Sequence, residues 1–513
     1  MEEALLVAGA GTMGAGIALV AARAGFSVGL IDPDPVARER ARARIGDAAV
    51  TLLDRIPEQS GATIAIEAVP ERMELKIATL RALEAALGPD ALLATNTSAL
   101  SVTELAAQLS APERFAGLHF FNPPEKMQLV EIVYGEVTSD DALAAAQAFV
   151  ERLGKTSVLA SDTPGFIVNR VARPFYLQAM RAFERGIASI EELDALARAI
   201  GFRMGPFELM DAIGLDVNLA TSESVYERLG AARLEPRPIQ REMVAQGRLG
   251  RKSGAGFYDY ASGNPERLDL RVAAEDDAEP LSGETIVVVG FAALADEFAA
   301  RLAERFVTVS RVENDELLDE LDPAATIVID VGDGRTDRSA MLAKLGARLG
   351  PEVVIFADAY VTDLRAAAGS IRHPQRLVGF GVVGALDMQH AVEIVDSETA
   401  SDDALALAQE LFDALGKGAV LVEDLPGLFL GRVVGSIVNE AVIAVSEGVA
   451  EAAEIDVAMR LGVNYPEGPI AWGREIGGAR VAQILRRLAD EEDEAFAPHR
   501  ALWVLDVEGE DEG

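Results

Sequence analysis

An internal repeat restricts this chain more than any other feature. Residues 376–395 (RLVGFGVVGALDMQHAVEIV) align without gaps on residues 114–133 (RFAGLHFFNPPEKMQLVEIV). Asp424-Leu425-Pro426-Gly427 matches Asp162-Thr163-Pro164-Gly165 at the same spacing of 262 residues. Solenoid repeats have periods of about 20–50 residues, so a period this long means duplicated domains. At 513 residues the chain has room for about three or four domains.

The first half sets the plan. The apolar run 3–8 enters Gly9-Ala10-Gly11-Thr12-Met13-Gly14, Ile17 to Ala21 continue as a helix, and residues 26–31 read as a strand closing on Asp32. Residues 63–68, 75–87 and 91–95 then read as strand, helix and strand, and this alternation predicts a parallel sheet covered on both faces. From the Pro164-Gly165 breaker onward the pattern is helical, over 166–184, 190–200 and 207–219. The expected fold class is therefore α/β, a Rossmann-like doubly wound sheet plus an all-helical domain. The pair is repeated, and the second copy is degenerate. Expected boundaries are 1–162 for the dinucleotide-binding domain, 163–260 for the helical domain and 261–282 for a linker. A degenerate Rossmann-like domain at 283–423, a second helical domain at 424–500 and an acidic tail at 501–513 follow.

Glycines 9, 11 and 14 fit the dinucleotide fingerprint: a tight turn, close backbone approach to the pyrophosphate, and helix-on-strand packing. The following helix start offers free N–H groups to phosphate. Asp32 suits the ribose hydroxyls and repels a 2′-phosphate, which points to NAD. Thr12 and Met13, inside the turn, join this cofactor-binding set. In the second copy Gly290-Phe291-Ala292-Ala293-Leu294-Ala295 keeps only the first glycine, and no NAD is expected there.

Composition excludes several functions. No cysteine is present, so disulfides and thiolate metal sites are ruled out and no metal is expected. A net charge of −37, from 83 acidic and 46 basic residues, argues against nucleic acid or an anionic membrane as partner. No apolar run approaches the roughly 18 residues of a membrane span, and the N-terminus does not resemble a signal peptide. A cytoplasmic location is the expectation.

Of four histidines, only His119 lies in the half with the intact glycine turn. An apolar strand carries it into a loop broken by Pro123-Pro124. Glu131 is a lone carboxylate in the apolar strand 129–133, where burial without a partner would cost several kcal/mol. His119 is the available partner. Ser98 follows a strand end, where a helix N-cap is the plain alternative, and Asn169 sits one turn into a helix.

The segments GAGTMGAGIA, EAVPE, ATNTSALSVTELA, RFAGLHFFNPP, KMQLVEIV, DTPGFIVNR and MGPFELMDAIGLD resemble the L-3-hydroxyacyl-CoA dehydrogenase family up to about residue 260. The resemblance implies oxidation of an acyl-CoA thioester, with His119 as base, Glu131 orienting its imidazole, and Ser98 and Asn169 bonding the substrate oxygen. It also implies that Glu71, Lys76, Asn96, Asn122 and Lys252 contact NAD. The tandem arrangement and residues 464–473 resemble the subgroup acting on 3-hydroxyadipyl-CoA in phenylacetate breakdown; short-chain members using 3-hydroxybutyryl-CoA are similar. A non-catalytic acyl-CoA or NAD-binding protein, and a Rossmann dehydrogenase of free hydroxy acids, are the alternatives. At the repeat spacing, Ser98, His119 and Asn169 become Tyr360, Gly381 and Gly431, and only Glu131 survives, as Glu393. Because single-copy members of the family dimerise through their helical domains, an internal pseudo-dimer is expected, with a homodimer possible.

Overall fold

The computed structural model describes residues 4–270, 283–290, 293–306, 308–313, 321–335 and 338–506. Short runs of Leu, Ile, Val and Ala, most of them buried on both faces, form the strands of the first sheet. These are β1 (Ala4–Ala8), β2 (Ser27–Ile31), β3 (Val50–Leu53), β4 (Ile64–Glu67), β5 (Leu92–Thr95), β6 (Phe115–Phe120), β7 (Leu129–Tyr134) and β8 (Thr156–Ser161), in spatial order 3-2-1-4-5-6-7-8. The connecting helices are α1 (Thr12–Arg23), α2 (Pro35–Ile45), α3 (Met73–Ala86), α4 (Val102–Ala106) and α5 (Asp140–Arg152). Ile17, Leu30, Ile66, Leu118, Val130 and Phe149 belong to the core between sheet and helices.

The sheet is not wholly parallel, contrary to the sequence expectation. β7 runs antiparallel to β6, and β8 follows β7 in parallel. Residues 121–128 are too few for a parallel crossover, which needs about a dozen or more, so the chain turns straight back. This reversal sets His119 directly opposite Glu131 in the register.

The helical part holds α6 (Val168–Val171), α7 (Arg173–Glu184), α8 (Ile190–Ala199), α9 (Pro206–Ile213), α10 (Leu215–Leu229) and α11 (Pro238–Ala245). Two expected helices are split. The run 166–184 breaks between α6 and α7, and 207–219 breaks at Gly214, whose φ of 103° no side-chain-bearing residue adopts comfortably.

The second sheet comprises β9 (Thr285–Val289), β10 (Thr308–Val312), β11 (Ile327–Asp330), β12 (Val354–Asp358), β13 (Leu377–Gly381), β14 (Ala391–Asp396) and β15 (Gly418–Glu423), in order 10-9-11-12-13-14-15. Its helices are α12 (Ala293–Arg305), α13 (Arg338–Arg348), α14 (Leu364–Ser370) and α15 (Asp402–Ala414), and α16 (Leu430–Ser446), α17 (Ala452–Gly462), α18 (Pro469–Ile476) and α19 (Gly478–Glu491) follow. The strand reversal recurs, with Gly381 opposite Glu393. Helix caps recur too: Ser139 and Ser401 cap α5 and α15, and capping boxes at Ser189/Glu192 and Glu451/Glu454 open α8 and α17. The expected acidic tail starts later than 501. A 3-10 helix, Arg500–Asp506, buries Leu502 and Leu505, and the Asp506 carboxylate accepts from the N–H groups of Gly478 and Ala479 at 2.6 and 3.1 Å. Residues 507–513 and linker residues 271–282 lie outside the described residues.

Two compact units result, and they do not follow the repeats. The first holds residues up to Val171 with Glu227–Leu229 and Ala444–Asn464; the second holds Ala172–Tyr226, Gly230–Ile443 and the chain from Tyr465. Within the first unit, α17 of the second repeat packs on β7, β8 and α6. Ser161 N–H donates to Val449 O (2.8 Å) and Leu159 N–H to the Glu454 carboxylate (2.9 Å). Within the second unit, α8 of the first repeat packs on β14, and Glu423 N–H donates to Ile187 O (3.1 Å). Residues 161 and 449, and 423 and 187, are the same two positions with the repeats interchanged.

An aromatic cluster binds the repeats inside the second unit: Phe175 stacks on Phe202 (4.5 Å between centroids), and Phe202 meets Tyr465 and Trp472 at 4.9 and 5.9 Å. Phe202→Ala is expected to destabilise this unit by about 3–5 kcal/mol, read as a lowered midpoint for part of the urea unfolding curve.

Candidate active site

The glycine turn closes β1 onto α1. Gly9 has φ 108°, and its N–H donates to Ile31 O at 2.7 Å. A Cβ on Gly14 would fall 1.8 Å from Gly9 O, whereas one on Gly11 would meet nothing within 4 Å. The first and third glycines are thus required by backbone contact, and open space is left over the second for a phosphate. Asp32, half-buried, accepts from Ala10 N–H (2.8 Å) through one carboxylate oxygen and from Asp34 N–H (2.9 Å) through the other. Its charge is thereby fixed beside the turn.

Two features here were not legible in the sequence. Arg44 pairs with Glu125 through two bonds of 2.8 Å and donates to Thr12 O at 2.7 Å, clamping the loop after β6 onto the start of α1. Gly16 makes this fit possible, since a Cβ there would lie 2.9 Å from Pro124. Met13, partly buried, packs on the core; Asn122 is exposed in the clamped loop.

His119 Nδ1 lies 2.6 Å from Glu131 Oε2, and both side chains are buried. The other oxygen of Glu131 accepts from Ile167 and Val168 N–H at 3.0 and 2.9 Å. Phe166, just before these two donors, adopts φ 49°, a left-handed conformation rare for a bulky residue. Its ring, with that of Phe121, flanks the imidazole at 5.7 and 4.7 Å. Neither phenylalanine carries a sequence signal for this role. With Glu131 ionised, Nδ1 bears the hydrogen and the Nε2 lone pair is left to accept a proton.

Asn169, in α6, donates through Nδ2 to Ser98 O at 3.5 Å. Ser98 is exposed and caps no helix; the N-cap of α4 is Ser101. The Ser98 loop is held by Glu71, which accepts from Thr97 Oγ1 (2.5 Å) and from Ser98 and Ala99 N–H (3.0 Å each). Burial pushes the Glu71 carboxyl up, but the Lys76 ammonium and these bonds outweigh it, leaving it below the ordinary carboxylate range. Asn96 Oδ1 accepts from Phe120 N–H (2.9 Å) and so ties the end of β5 to the strand bearing His119.

Lys76 departs from expectation. Its ammonium is enclosed by Glu67 (2.9 and 3.0 Å), Glu71 (3.1 Å) and Val69 O (3.3 Å), with the residue fully buried. A helix face reads as exposed in sequence, but here it covers the buried Glu67 and must bring it a counter-charge. Lys252 belongs to the second unit, where it pairs with Asp216, and is not among the residues gathered in the first.

The second repeat presents the same frame closed. Tyr360 Oη donates to Glu393 Oε2 at 2.6 Å, and Phe429 and Leu430 N–H donate to the same carboxylate at 2.7 and 3.2 Å. The Tyr360 ring fills the space of the missing side chains: a Cβ on Gly381 or Gly431 would fall 2.7 or 2.9 Å from it. Gly290 is described and keeps its turn (φ 146°); Phe291 and Ala292 lie outside the described residues. No cluster of potential metal ligands occurs among the described residues.

A glycine turn ending on an acidic residue, in one unit with a buried histidine–carboxylate pair, defines a dinucleotide-dependent dehydrogenase. The family models agree. The NAD-binding domain of 3-hydroxyacyl-CoA dehydrogenase matches residues 4–163 and 289–425, and the C-terminal domain of that enzyme matches 165–260 and 427–510. The chain belongs to the 3-hydroxyacyl-CoA dehydrogenase family, in duplicated form, and its cofactor is NAD. It is 36% identical over 508 residues to a 3-hydroxyadipyl-CoA dehydrogenase of Escherichia coli K12, covering 95% of this chain and 93% of that one. A probable 3-hydroxybutyryl-CoA dehydrogenase of Bacillus subtilis is 38% identical over 277 residues, which is 50% of this chain and 96% of that protein. The crystal structure of a 3-hydroxybutyryl-CoA dehydrogenase from E. coli K12 superposes with a TM-score of 0.77 at 32% identity, covering 99% of both chains.

Burial pushes the Glu393 carboxyl up to about 7, against its bonds from Tyr360, Phe429 and Leu430. A raised carboxyl favours the folded state fully below its ordinary pKa, and that contribution is lost as pH rises towards 7. Glu393→Gln removes the titration. The stability of this variant relative to the parent is expected to rise by about 2–4 kcal/mol between pH 4.5 and pH 8, measured by denaturant unfolding across that range.

Proposed function

We propose that this 3-hydroxyacyl-CoA dehydrogenase carries out its chemistry in the first repeat alone, with His119 as the base. The observation that carries the reading is the 2.6 Å contact of His119 with a Glu131 that also holds two backbone N–H groups. So anchored, the carboxylate fixes the imidazole tautomer and stabilises the cation formed when Nε2 takes the proton of the 3-hydroxyl. NAD, when bound, accepts the hydride released from C3. Ser98 and Asn169 hold the oxygen at C3, and the partial charge on that oxygen is met by their donors. Gly9, Gly11, Thr12, Met13, Gly14 and Asp32 cradle the dinucleotide, and Glu71, Asn96 and Asn122 shape its nicotinamide end. Lys76 contributes through Glu71, and Lys252 is proposed as a further NAD contact on the family resemblance alone.

The substrate proposed is 3-hydroxyadipyl-CoA, a dicarboxylic thioester of the kind met in phenylacetate breakdown. The similarity to the E. coli 3-hydroxyadipyl-CoA dehydrogenase over nearly the whole chain, both repeats included, supports it. The second reading, 3-hydroxybutyryl-CoA, is supported by the relatives of half this length and by the E. coli crystal structure. The two repeats act as an internal pseudo-dimer, a proposal supported by the interchange of α8 and α17.

His119→Gln is expected to lower kcat by about 10²–10⁴-fold in acetoacetyl-CoA reduction followed at 340 nm, with NADH affinity by fluorescence titration unchanged. Retained turnover would refute the assignment. Comparing kcat/KM for the two hydroxyacyl thioesters decides the substrate; a preference of at least tenfold for the adipyl thioester is expected.

A further inference from the structure

We infer that the inert second repeat is a working part of the first active site, through a notch at Gly462 that seats the catalytic pair. This rests on the functional reading above and goes beyond it by giving the second repeat a task.

The unit that contains His119 and Glu131 also contains Ala444–Asn464 of the second repeat. Gly462 ends α17 and is buried. Its φ is not in the left-handed region, so the backbone does not call for glycine, and glycine in a helix costs about 1 kcal/mol relative to alanine. Close approach does call for it. A Cβ there would fall 2.8 Å from Leu129 Cδ2, 3.0 Å from Val168 Cγ2 and 3.6 Å from Phe121 Cζ.

Each of these three residues is one step from the catalytic pair. Leu129 lies two residues before Glu131 on β7, with its side chain on the same face. Val168 N–H donates to the Glu131 carboxylate, and the Phe121 ring lies 4.7 Å from that of His119. The same segment grips α6 a second time, through Glu447 and Arg170 at 2.7 Å, beside Asn169. α8, which packs on the closed site, ends at Ala199 followed by Ile200, with no glycine at either position, so that helix carries no such notch. Gly462 is a positioning residue: it touches neither substrate nor cofactor and acts through the seat of His119 and Glu131.

Gly462→Ala and Gly462→Val in the full chain test this, with Arg460→Ala on the exposed face of α17 as control. Wild-type reduction of acetoacetyl-CoA, measured first, tests the underlying activity separately. Displacement of catalytic groups by about 1 Å can cost 10²-fold in rate. The alanine variant is expected to lose roughly 3–10-fold in kcat and the valine variant about 10²-fold. NADH affinity and KM for acetoacetyl-CoA should stay near the wild-type values, Tm should fall by only a few degrees, and the control should be unaffected. Unchanged kcat in both variants would overturn the inference. A loss of kcat matched by an equal loss of NADH binding and of folded protein would overturn it too, because the notch would then serve packing alone.

Discussion

A carboxylate buried in an apolar strand is the constraint around which both repeats are built. Glu131 and Glu393 are each fully buried, and each receives two consecutive backbone N–H groups from the start of the helical domain. In both repeats the residue just before these two donors turns left-handed. Phe166 and Leu428 do so at φ 49° and 45°, a strain held because a buried carboxylate without partners would cost more. The joint between sheet and helices is thus an electrostatic fixture. Its third ligand is the variable one: an imidazole in the first repeat, a phenol in the second.

That difference explains how a catalytic copy can lose its chemistry and keep its fold. Removing the histidine alone would leave a cavity and a carboxylate short of one partner. Tyr360, standing at the position of Ser98, answers both needs, since its ring occupies the vacated space and its hydroxyl donates to Glu393. The second repeat also keeps an ion pair beneath its sheet end, Asp330 with Arg338, where the first has Glu67 with Lys76. What persists in the eroded copy is whatever the buried charges require. What vanished is whatever only a substrate would have used.

The sequence disclosed those parts that are local or repeated. The glycine turn with Asp32 is a signal within some 30 residues, and His119 with Glu131 stood out as the one histidine of that half and a lone carboxylate in an apolar strand. The parts it concealed depend on contacts with no local signature. Lys76 carries no mark of enclosure until β4 brings Glu67 beneath it. Arg44 and Glu125 are distant in sequence and meet only when α2 and the loop after β6 come together. A left-handed phenylalanine leaves no trace in composition, because the residue usual at such a φ is glycine. Resemblance suggested only that the helical domains pair; the interchange of α8 and α17 was not legible, since the Glu454–Leu159 bond spans 295 residues.

Linking the two repeats has a further physical consequence at the seam between α7 and α16. Gln178 and Glu440 occupy the same position in the two repeats, 262 residues apart, and line one small cavity together with Arg233. In a dimer of identical chains, a glutamate at such a position would face its own copy, and two buried carboxylates so close cannot both stay ionised. Here one partner is the neutral Gln178, and the charge of Glu440 is met by Arg233 at 2.6 Å. The counterpart of Arg233, one residue before the matching pair Leu234 and Phe496, is Ala495. Neutral against charged, with a single arginine, is a pairing identical subunits cannot make. Fusion therefore did more than keep the halves together: it let the facing residues diverge, as it let one of the two sites close.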